Sequence, residues 1–107
     1  MKKWTVQDRF GNIIYLTEER WNQALESRPE IEPLLEQFLE TLRTGRRRQE
    51  TLLPNEYRCY KQFDELMPEN NHLVAKVVFK TQLDEAGHYV PNNFVVTGWP
   101  NYIIPKR

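Results

Sequence analysis

Apolar residues have helical spacing in the first half of the chain and strand-like alternation in the second half. Before the helical part, two β-prone runs, 4–7 and 13–16, flank a loop that contains Gly11, which predicts a β-hairpin. A first short helix is predicted over 18–26, with the Thr17 hydroxyl as its N-cap. The chain is therefore expected to begin with a hairpin followed directly by a helix.

The second predicted helix has the clearest periodicity. Ser27 and Glu30 have the capping-box spacing, which predicts that this helix starts near Ser27. Gly45 is predicted to end it in a left-handed conformation. Its apolar side chains share one face and are Ile31, Leu34, Leu35, Phe38, Leu39 and Leu42.

Beyond Pro54 the period changes to two, and β-rich runs over 57–63, 73–81 and 94–99 are separated by segments rich in turn-forming residues. No helical crossover lies between these runs, so antiparallel pairing is predicted. We therefore expect an α+β fold in a single domain, with a hairpin (1–16), two helices (17–45) and a three-stranded antiparallel meander (57–104) that carries the helices on one face.

Alternation divides the predicted sheet into two faces. The central strand sends Leu73, Ala75, Val77 and Phe79 toward the helices. In the preceding strand Lys61 points the same way, which indicates either a bulge or an aliphatic stem lying along the sheet rim. The last strand stays open at this point, because Phe94 with Val96 and Val95 with Trp99 are equally suitable inward pairs.

If Phe94 and Val96 face the helices, the opposite face of the sheet carries cations, aromatic rings and no carboxylate. Its members are Arg58, Tyr60, Lys76, Lys80, Thr97 and Trp99. Proteins that bind single-stranded nucleic acid use this combination, since cations hold phosphates and rings stack bases. The alternative is an ordinary solvated face, or one covered by the N-terminal hairpin or by a second copy of the chain.

The charge balance first argues against a polyanion partner, because 15 Lys and Arg offset 15 Asp and Glu. Along the chain, however, 17–42 carries seven Glu and two Arg, whereas 43–61 carries six Lys and Arg and two Glu. The run of Arg46, Arg47 and Arg48 is read either as a phosphate contact or as a solvated loop that complements the helix dipole. Neutrality is therefore a cancellation between an acidic and a basic segment.

Several kinds of site and partner lack support in the sequence. The lone Cys59 allows no internal disulfide and is predicted to be an inert buried thiol. His72 and His88 have no partners at metal-ligand spacing, and no Gly-rich phosphate loop occurs, so no metal, nucleotide or other cofactor is expected. No apolar run reaches the length of a membrane helix or a signal region, which predicts a cytoplasmic protein without a membrane partner.

A resemblance to a known family rests on short motifs that occur in the family's order. They are Trp4 with Asp8 and Gly11-Asn12, Leu16-Thr17-Glu18-Glu19-Arg20-Trp21, Arg28-Pro29-Glu30, Tyr57 to Phe63, and Val95-Val96-Thr97-Gly98-Trp99. With these motifs the chain resembles the phage-associated nucleases of the barnase, EndoU, colicin and RelE type of fold (the BECR fold), in their small bacterial and cyanobacterial forms. Gln23 and Arg28 stand where that family's pattern has His.

The resemblance implies metal-independent RNA cleavage, in which the ribose 2′-hydroxyl attacks the adjacent phosphate. For this chemistry the candidates are Arg58 and Lys80 for charge stabilisation, Lys61 or Tyr60 for proton transfer, and Thr97 as a hydroxyl donor. An active enzyme of this kind requires Arg58, Lys61, Lys80 and Thr97 to converge on one concave site. RNA contacts are expected from Tyr60, Lys76, Trp99, Arg46, Arg47 and Arg48.

Three functions stay open at this point. The first is an endoribonuclease, and the second is a catalytically degenerate relative that still binds RNA or another anion. The third is a protein-interaction module or homodimer in which the acidic helix, with Glu32, Glu36 and Glu40, meets a basic partner.

Overall fold

A computed structural model of the chain describes residues 2–64, 66 and 70–103. A 3₁₀ helix (Pro29–Leu34) lies between two α-helices, and eight strands complete the structure. In chain order the elements are β1 (Lys3–Gln7), β2 (Ile13–Thr17), α1 (Glu18–Ser27), the 3₁₀ helix, α2 (Leu35–Thr44), β3 (Arg46–Gln49), β4 (Glu56–Gln62), β5 (His72–Val78), β6 (Thr81–Leu83), β7 (Tyr89–Pro91) and β8 (Asn93–Asn101).

The architecture is mixed α+β, with two α-helices and a mostly antiparallel sheet. The main sheet has six strands in the order β1-β2-β8-β5-β4-β3, where the sequence predicted three, and β6 and β7 form a separate hairpin. A parallel contact joins β2 to β8, pairing Ile14 with Asn93 and Tyr15 with Phe94. The Asn93 side-chain amide supports this junction by donating to the Ile13 carbonyl at 3.0 Å. The N-terminal hairpin therefore extends the sheet.

Both helices pack on one face of the main sheet. Helix α1 contacts β8 and β2, and α2 contacts β5, β4 and β1. The Phe38 ring meets Trp21 edge-on at 5.6 Å, which ties the two helices together. The predicted apolar stripe is confirmed, because its members are buried or packed against the core, and other large core residues are Val6, Ile14, Leu16, Leu73, Val77 and Val95.

The start of the second helix differs from the capping-box prediction. Ser27 is the last residue of α1, and the following turns form a 3₁₀ helix with no side-chain cap before α2 begins at Leu35. Pro33 explains the difference, because it lacks an N–H and disfavours α-helical backbone in the residue before it. Regular α-helical hydrogen bonding can therefore begin only beyond Pro33.

Gly45 ends α2 in extended backbone, with φ −68° and ψ 164°, so the left-handed prediction is wrong. The glycine is required for a different reason. A Cβ at this position would lie 2.4 Å from the Thr41 carbonyl oxygen and 2.8 Å from the Tyr60 carbonyl oxygen. Gly45 therefore permits the chain to pass directly from α2 into β3 alongside β4.

Several strands differ from the alternation pattern in their bounds or in being present at all. The Arg46–Arg48 run, one reading of which was a solvated loop, forms the edge strand β3. The turn-rich segment 82–93 contains strand β7 and most of β6, and β5 ends at Val78, three residues before its predicted end. β3 and β6 lack apolar alternation, so ladder hydrogen bonds rather than a buried side-chain stripe define them.

The sheet curls until the tip of the β1–β2 hairpin meets β3. Asp8 orders that tip by accepting from the backbone N–H groups of Phe10 and Asn12 at 2.9 and 2.8 Å. Its other carboxylate oxygen lies 3.9 Å from Arg47, whose guanidinium lies 4.0 Å from the centre of the Phe10 ring. This contact joins the two edges of the sheet on the side that carries the helices. The helices do not cover the opposite face, which is called the open face below.

Candidate nucleic-acid interface

A β-bulge in β8 decides which side chains of the last strand face the helices. Val77 pairs with Val95, whereas Lys76 pairs with Thr97, so Val96 is the extra residue. Val95 is buried in the core, and Gly98 lies against the Phe38 ring, where a Cβ would come within 2.8 Å. The inward positions of β8 are therefore three residues apart at the bulge.

The bulge makes both predicted inward pairs wrong. Val95 faces the helices, but Trp99 lies opposite Val74 and beside Arg58 on the open face. Residues four apart in a regular strand share a face, and the extra residue of a bulge reverses that relation. Phe94 also lies on the open face, since its ring packs 6.1 Å from Tyr15. The bulge therefore brings Phe94 and Trp99 to the same surface.

Four strands place one row of side chains across the open face, hereafter the aromatic row. It runs Arg46, Tyr60, Val74 and Trp99, each opposite the next in the strand register. Val74 is 4 % exposed, so the two rings and their neighbours cover it. Tyr60 and Trp99 are two strands apart, which separates their backbones by roughly 10 Å.

A second row runs beside the first, hereafter the cationic row. Its members in register are Arg48, Arg58, Lys76 and Thr97. The Arg58 guanidinium lies 5.7 Å from the centre of the Trp99 ring, so the two rows touch. Rings for bases and cations for phosphates therefore lie side by side.

Two carboxylates interrupt the surface that was predicted to have none. Glu50 accepts a hydrogen bond from the Arg58 guanidinium, and Glu56 Oε2 lies 3.3 Å from Lys76 Nζ. Glu56 Oε2 is buried without a hydrogen bond of good geometry, so the lysine ammonium is its charged partner. Two of the cations are thus held by acidic side chains.

Aromatic and basic side chains continue toward the β2 side of the open face. Lys80 Nζ lies 5.4 Å from the Phe94 ring centre, and Lys3 Nζ lies 4.8 Å from the Tyr15 ring centre. The Tyr15 hydroxyl donates to Asn92 Oδ1 at 2.7 Å, which holds the ring in place. The alternation of cations and rings therefore extends over all the strands from β3 to β2.

His72 also lies on the open face, where the sequence did not lead us to expect it. Its ring lies 6.2 Å from the Tyr60 ring, and its Nδ1 is 2.7 Å from Asn71 Oδ1. Two hydrogen bonds to the backbone of Ile103 fix the orientation of the Asn71 side-chain amide. Nδ2 donates to the Ile103 carbonyl oxygen, and Oδ1 accepts from the Ile103 N–H. Oδ1 can only accept, so His72 Nδ1 carries the proton and Nε2 has the free lone pair.

Burial lowers the pKa of His72 below its usual value of 6.5, which keeps the imidazole neutral at pH 7. The signal for this residue was present in the sequence, since His72 precedes Val74 by two positions and alternation places both on one face.

Three of the predicted site residues lie apart from these rows. Arg47 faces the helix side, where it contacts Asp8 and Phe10. Lys61 lies opposite the fully buried Leu73, and the β4–β5 register shows no bulge, so Lys61 lies on the helix side of β4. Lys80 lies beyond the other end of β5.

The structure therefore does not bring the predicted catalytic set together. Lys61 and Lys80 are roughly 20 Å apart, because seven residues of extended chain separate the partner of Lys61 from Lys80. Arg58 and Thr97 share the cationic row with Lys76, and Tyr60 and Trp99 lie next to it.

Other chemistry finds little support in this part of the molecule. Burial raises the pKa of the Cys59 thiol to about 11, so it is not a nucleophile at neutral pH. Among residues 2–64, 66 and 70–103, no group of three or more His, Cys, Asp or Glu side chains is placed to hold a metal ion. No helix in the described part of the chain is long and apolar enough to cross a membrane.

Comparison with known proteins identifies no relative of this chain. The chain matches no family model, no curated protein and no solved structure.

Proposed function

We propose that this protein binds single-stranded RNA on the open face of its six-stranded sheet. The observation that carries the proposal is the pair of adjacent rows, in which Tyr60 and Trp99 lie beside Arg58 and Lys76. Sheet surfaces that bind single-stranded RNA stack bases on aromatic side chains and hold the backbone with cations. RNA is chosen over DNA because of the resemblance to RNA-cleaving proteins.

The distribution of charge supports binding on this face. The cations on or beside the rows are Lys3, Arg46, Arg48, Arg58, Lys76 and Lys80, against the carboxylates Glu50 and Glu56. The acidic residues of 17–42 belong mostly to the helices, which lie on the other side of the sheet. Although the net charge of the chain is zero, a polyanion within about one Debye length of the open face meets mainly basic side chains.

The paired carboxylates predict a gain of function. Replacing Glu50 and Glu56 by glutamine frees Arg58 and Lys76 for phosphate, and RNA affinity is expected to rise about threefold to tenfold at low salt. The measurement is fluorescence anisotropy with a labelled eight-nucleotide RNA over a range of salt concentrations. The slope of the logarithm of the binding constant against the logarithm of the salt concentration should become steeper, by about the amount that one additional phosphate contact contributes.

Glu32→Gln/Glu36→Gln supplies the matched control, because it also removes two negative charges, from exposed positions of the 3₁₀ helix and α2. An affinity gain as large in the control as in the open-face variant would attribute the effect to net charge and contradict the proposed surface. A wild-type protein with no salt-sensitive RNA binding would contradict the proposed function itself.

A second candidate function is metal-independent RNA cleavage on the same face, and the His72–Asn71 arrangement favours it. In this reaction His72 Nε2 accepts the 2′-hydroxyl proton, the 2′-oxygen bonds to phosphorus, and the bond from phosphorus to the 5′-oxygen breaks. Tyr60 donates its hydroxyl proton to the departing 5′-oxygen, while Arg46 and Arg58 stabilise the added negative charge. The products are a 2′,3′-cyclic phosphate and a 5′-hydroxyl.

If the protein cleaves RNA in this way, His72→Ala lowers the rate of cleavage of mixed-sequence RNA in EDTA about 100-fold or more. The affinity for RNA should change less than about threefold. Wild-type cleavage should fall only below about pH 6.5, because His72 must be neutral and its pKa is lowered by burial. His88→Ala, at an exposed turn, should cleave like the wild type. Cleavage that survives in His72→Ala would contradict the assigned role, and no cleavage by the wild type would leave RNA binding alone.

A further inference from the structure

A groove opens on the helix side where α1 and β8 separate. Strand β2 pairs with β8 only at Ile14 and Tyr15, after which the chain turns into α1 while β8 continues to Asn101. Ala24 of α1 and Gly98 of β8 lie on the two walls of the groove. The polar side of the groove consists of Arg20, Gln23, Ser27, Arg28 and Thr97.

The groove has the side chains of an anion site. No carboxylate lines it, and neither Arg20 nor Arg28 is within 4.0 Å of an acidic group in the described part of the chain. Arg20 belongs to α1 and Arg28 is the residue that follows the last turn of this helix, and both line the same groove. Guanidinium donors, the Ser27 hydroxyl and the Gln23 amide are groups that bind phosphate oxygens.

The backbone of β8 adds donors to this surface. Beyond Phe94 the register gives β8 no partner on its β2 side, although both strands are fully described. Alternate backbone N–H groups of such an edge point away from the paired strand and toward the groove. The residues concerned are those around the bulge, where Val96, Thr97 and Gly98 line the groove.

We propose that the groove between α1 and β8 binds a phosphate group, with Arg20 and Arg28 as its principal ligands. The phosphate belongs either to a free ion or small phosphate ester, or to an RNA strand that leaves the open face. Thr97 connects the two surfaces, because it pairs with Lys76 in the cationic row and also lines the groove. The RNA source rests on the proposed function, whereas the free phosphate source does not.

The test is a nuclear magnetic resonance titration at constant ionic strength that follows the backbone amides of Val96, Thr97 and Gly98. Separate samples receive inorganic phosphate and an eight-nucleotide RNA. We expect saturable shifts at these amides, with the dissociation constant raised about tenfold or more in Arg20→Ala/Arg28→Ala. Arg9→Ala/Arg43→Ala is the control, because it removes the same charge away from the groove.

The two arms separate the sources of the phosphate. Saturation by inorganic phosphate supports a free phosphate ligand, and saturation by RNA alone supports a backbone phosphate. Groove amides that respond to neither, or that respond equally in the two double variants, overturn the proposal. The amides of Tyr60 and Val74 report the open face separately. Shifts with RNA that are confined to the open face reject the groove while RNA binding stands. Groove shifts with phosphate, together with no shift at Tyr60 or Val74 in the RNA sample, support the groove and reject RNA binding on the open face.

Discussion

Replacing Tyr60 and Trp99 together by alanine is expected to weaken RNA binding about 100-fold. Each ring lies on the open face in the aromatic row, and the stacking of a base on an aromatic side chain is worth about 1–3 kcal/mol. Two lost stacks therefore remove at least about 2 kcal/mol, and the loss of the Arg58 contact with the Trp99 ring adds to this. Anisotropy with the eight-nucleotide RNA measures the change.

Two controls separate stacking from folding and from general hydrophobic loss. Tyr89→Ala removes a ring of the same size as that of Tyr60 from β7, where it is 76 % exposed, and should bind RNA like the wild type. Trp99→Phe retains a stacking surface and should lose far less affinity than Trp99→Ala. Equal affinities for the wild type and the Tyr60→Ala/Trp99→Ala variant would show that RNA, if bound, lies elsewhere.

Gly45→Ala is expected to destabilise the fold by about 3 kcal/mol or more. The added Cβ would meet the carbonyl oxygens of Thr41 and Tyr60 at 2.4 and 2.8 Å, and both are backbone atoms within regular elements. Neither can move without displacing the end of α2 or the strand that carries the aromatic row. Urea unfolding followed by circular dichroism measures the loss.

Gly11→Ala is the comparison, because Gly11 has φ +86° and open space around the position of a Cβ. That substitution strains only the local backbone, and about 1 kcal/mol is expected. If Gly45→Ala is no less stable than Gly11→Ala, the close approach of α2 to β4 is not as the structure has it.

Much of the fold follows from local patterns, because side-chain periodicity reflects which positions are buried. The stripe that contains Phe38, Leu39 and Leu42 predicted the buried face of α2, and alternation predicted the inward residues Leu73 and Val77 of β5. Backbone hydrogen bonding between distant segments produces no periodic pattern of apolar residues in the sequence. The parallel pairing of β2 with β8 and the strand character of β3 depend on neighbouring backbone, so the sequence alone did not reveal them.

The candidate site shows the same division. Alternation placed Arg58, Tyr60 and Lys76 on one face, and the structure confirms that placement. The position of Trp99 needed the bulge at Val96, which no local pattern marked. Ion pairs between strands, such as the one between Lys76 and Glu56, depend on register and side-chain reach rather than on a sequence period, and the face was therefore predicted to be more basic than it is.

Arg47 illustrates how tertiary contacts divide a run of like residues. Its neighbours Arg46 and Arg48 lie in the two rows of the open face, whereas Arg47 lies opposite the buried Cys59 on the helix side. There it is held by Asp8 and Phe10 from the hairpin tip. A charge count along the chain treats the three arginines alike, and the pleat of β3 separates them.

The most direct test of the open face is amide shift mapping with a single-stranded RNA of eight nucleotides. We expect saturable shifts at Arg46, Arg58, Tyr60, Val74 and Lys76, with no comparable shifts in α2, and a salt dependence that reports phosphate contacts. Shifts confined to the helices, or none in any part of the protein at low salt, would contradict the claim that this sheet binds RNA.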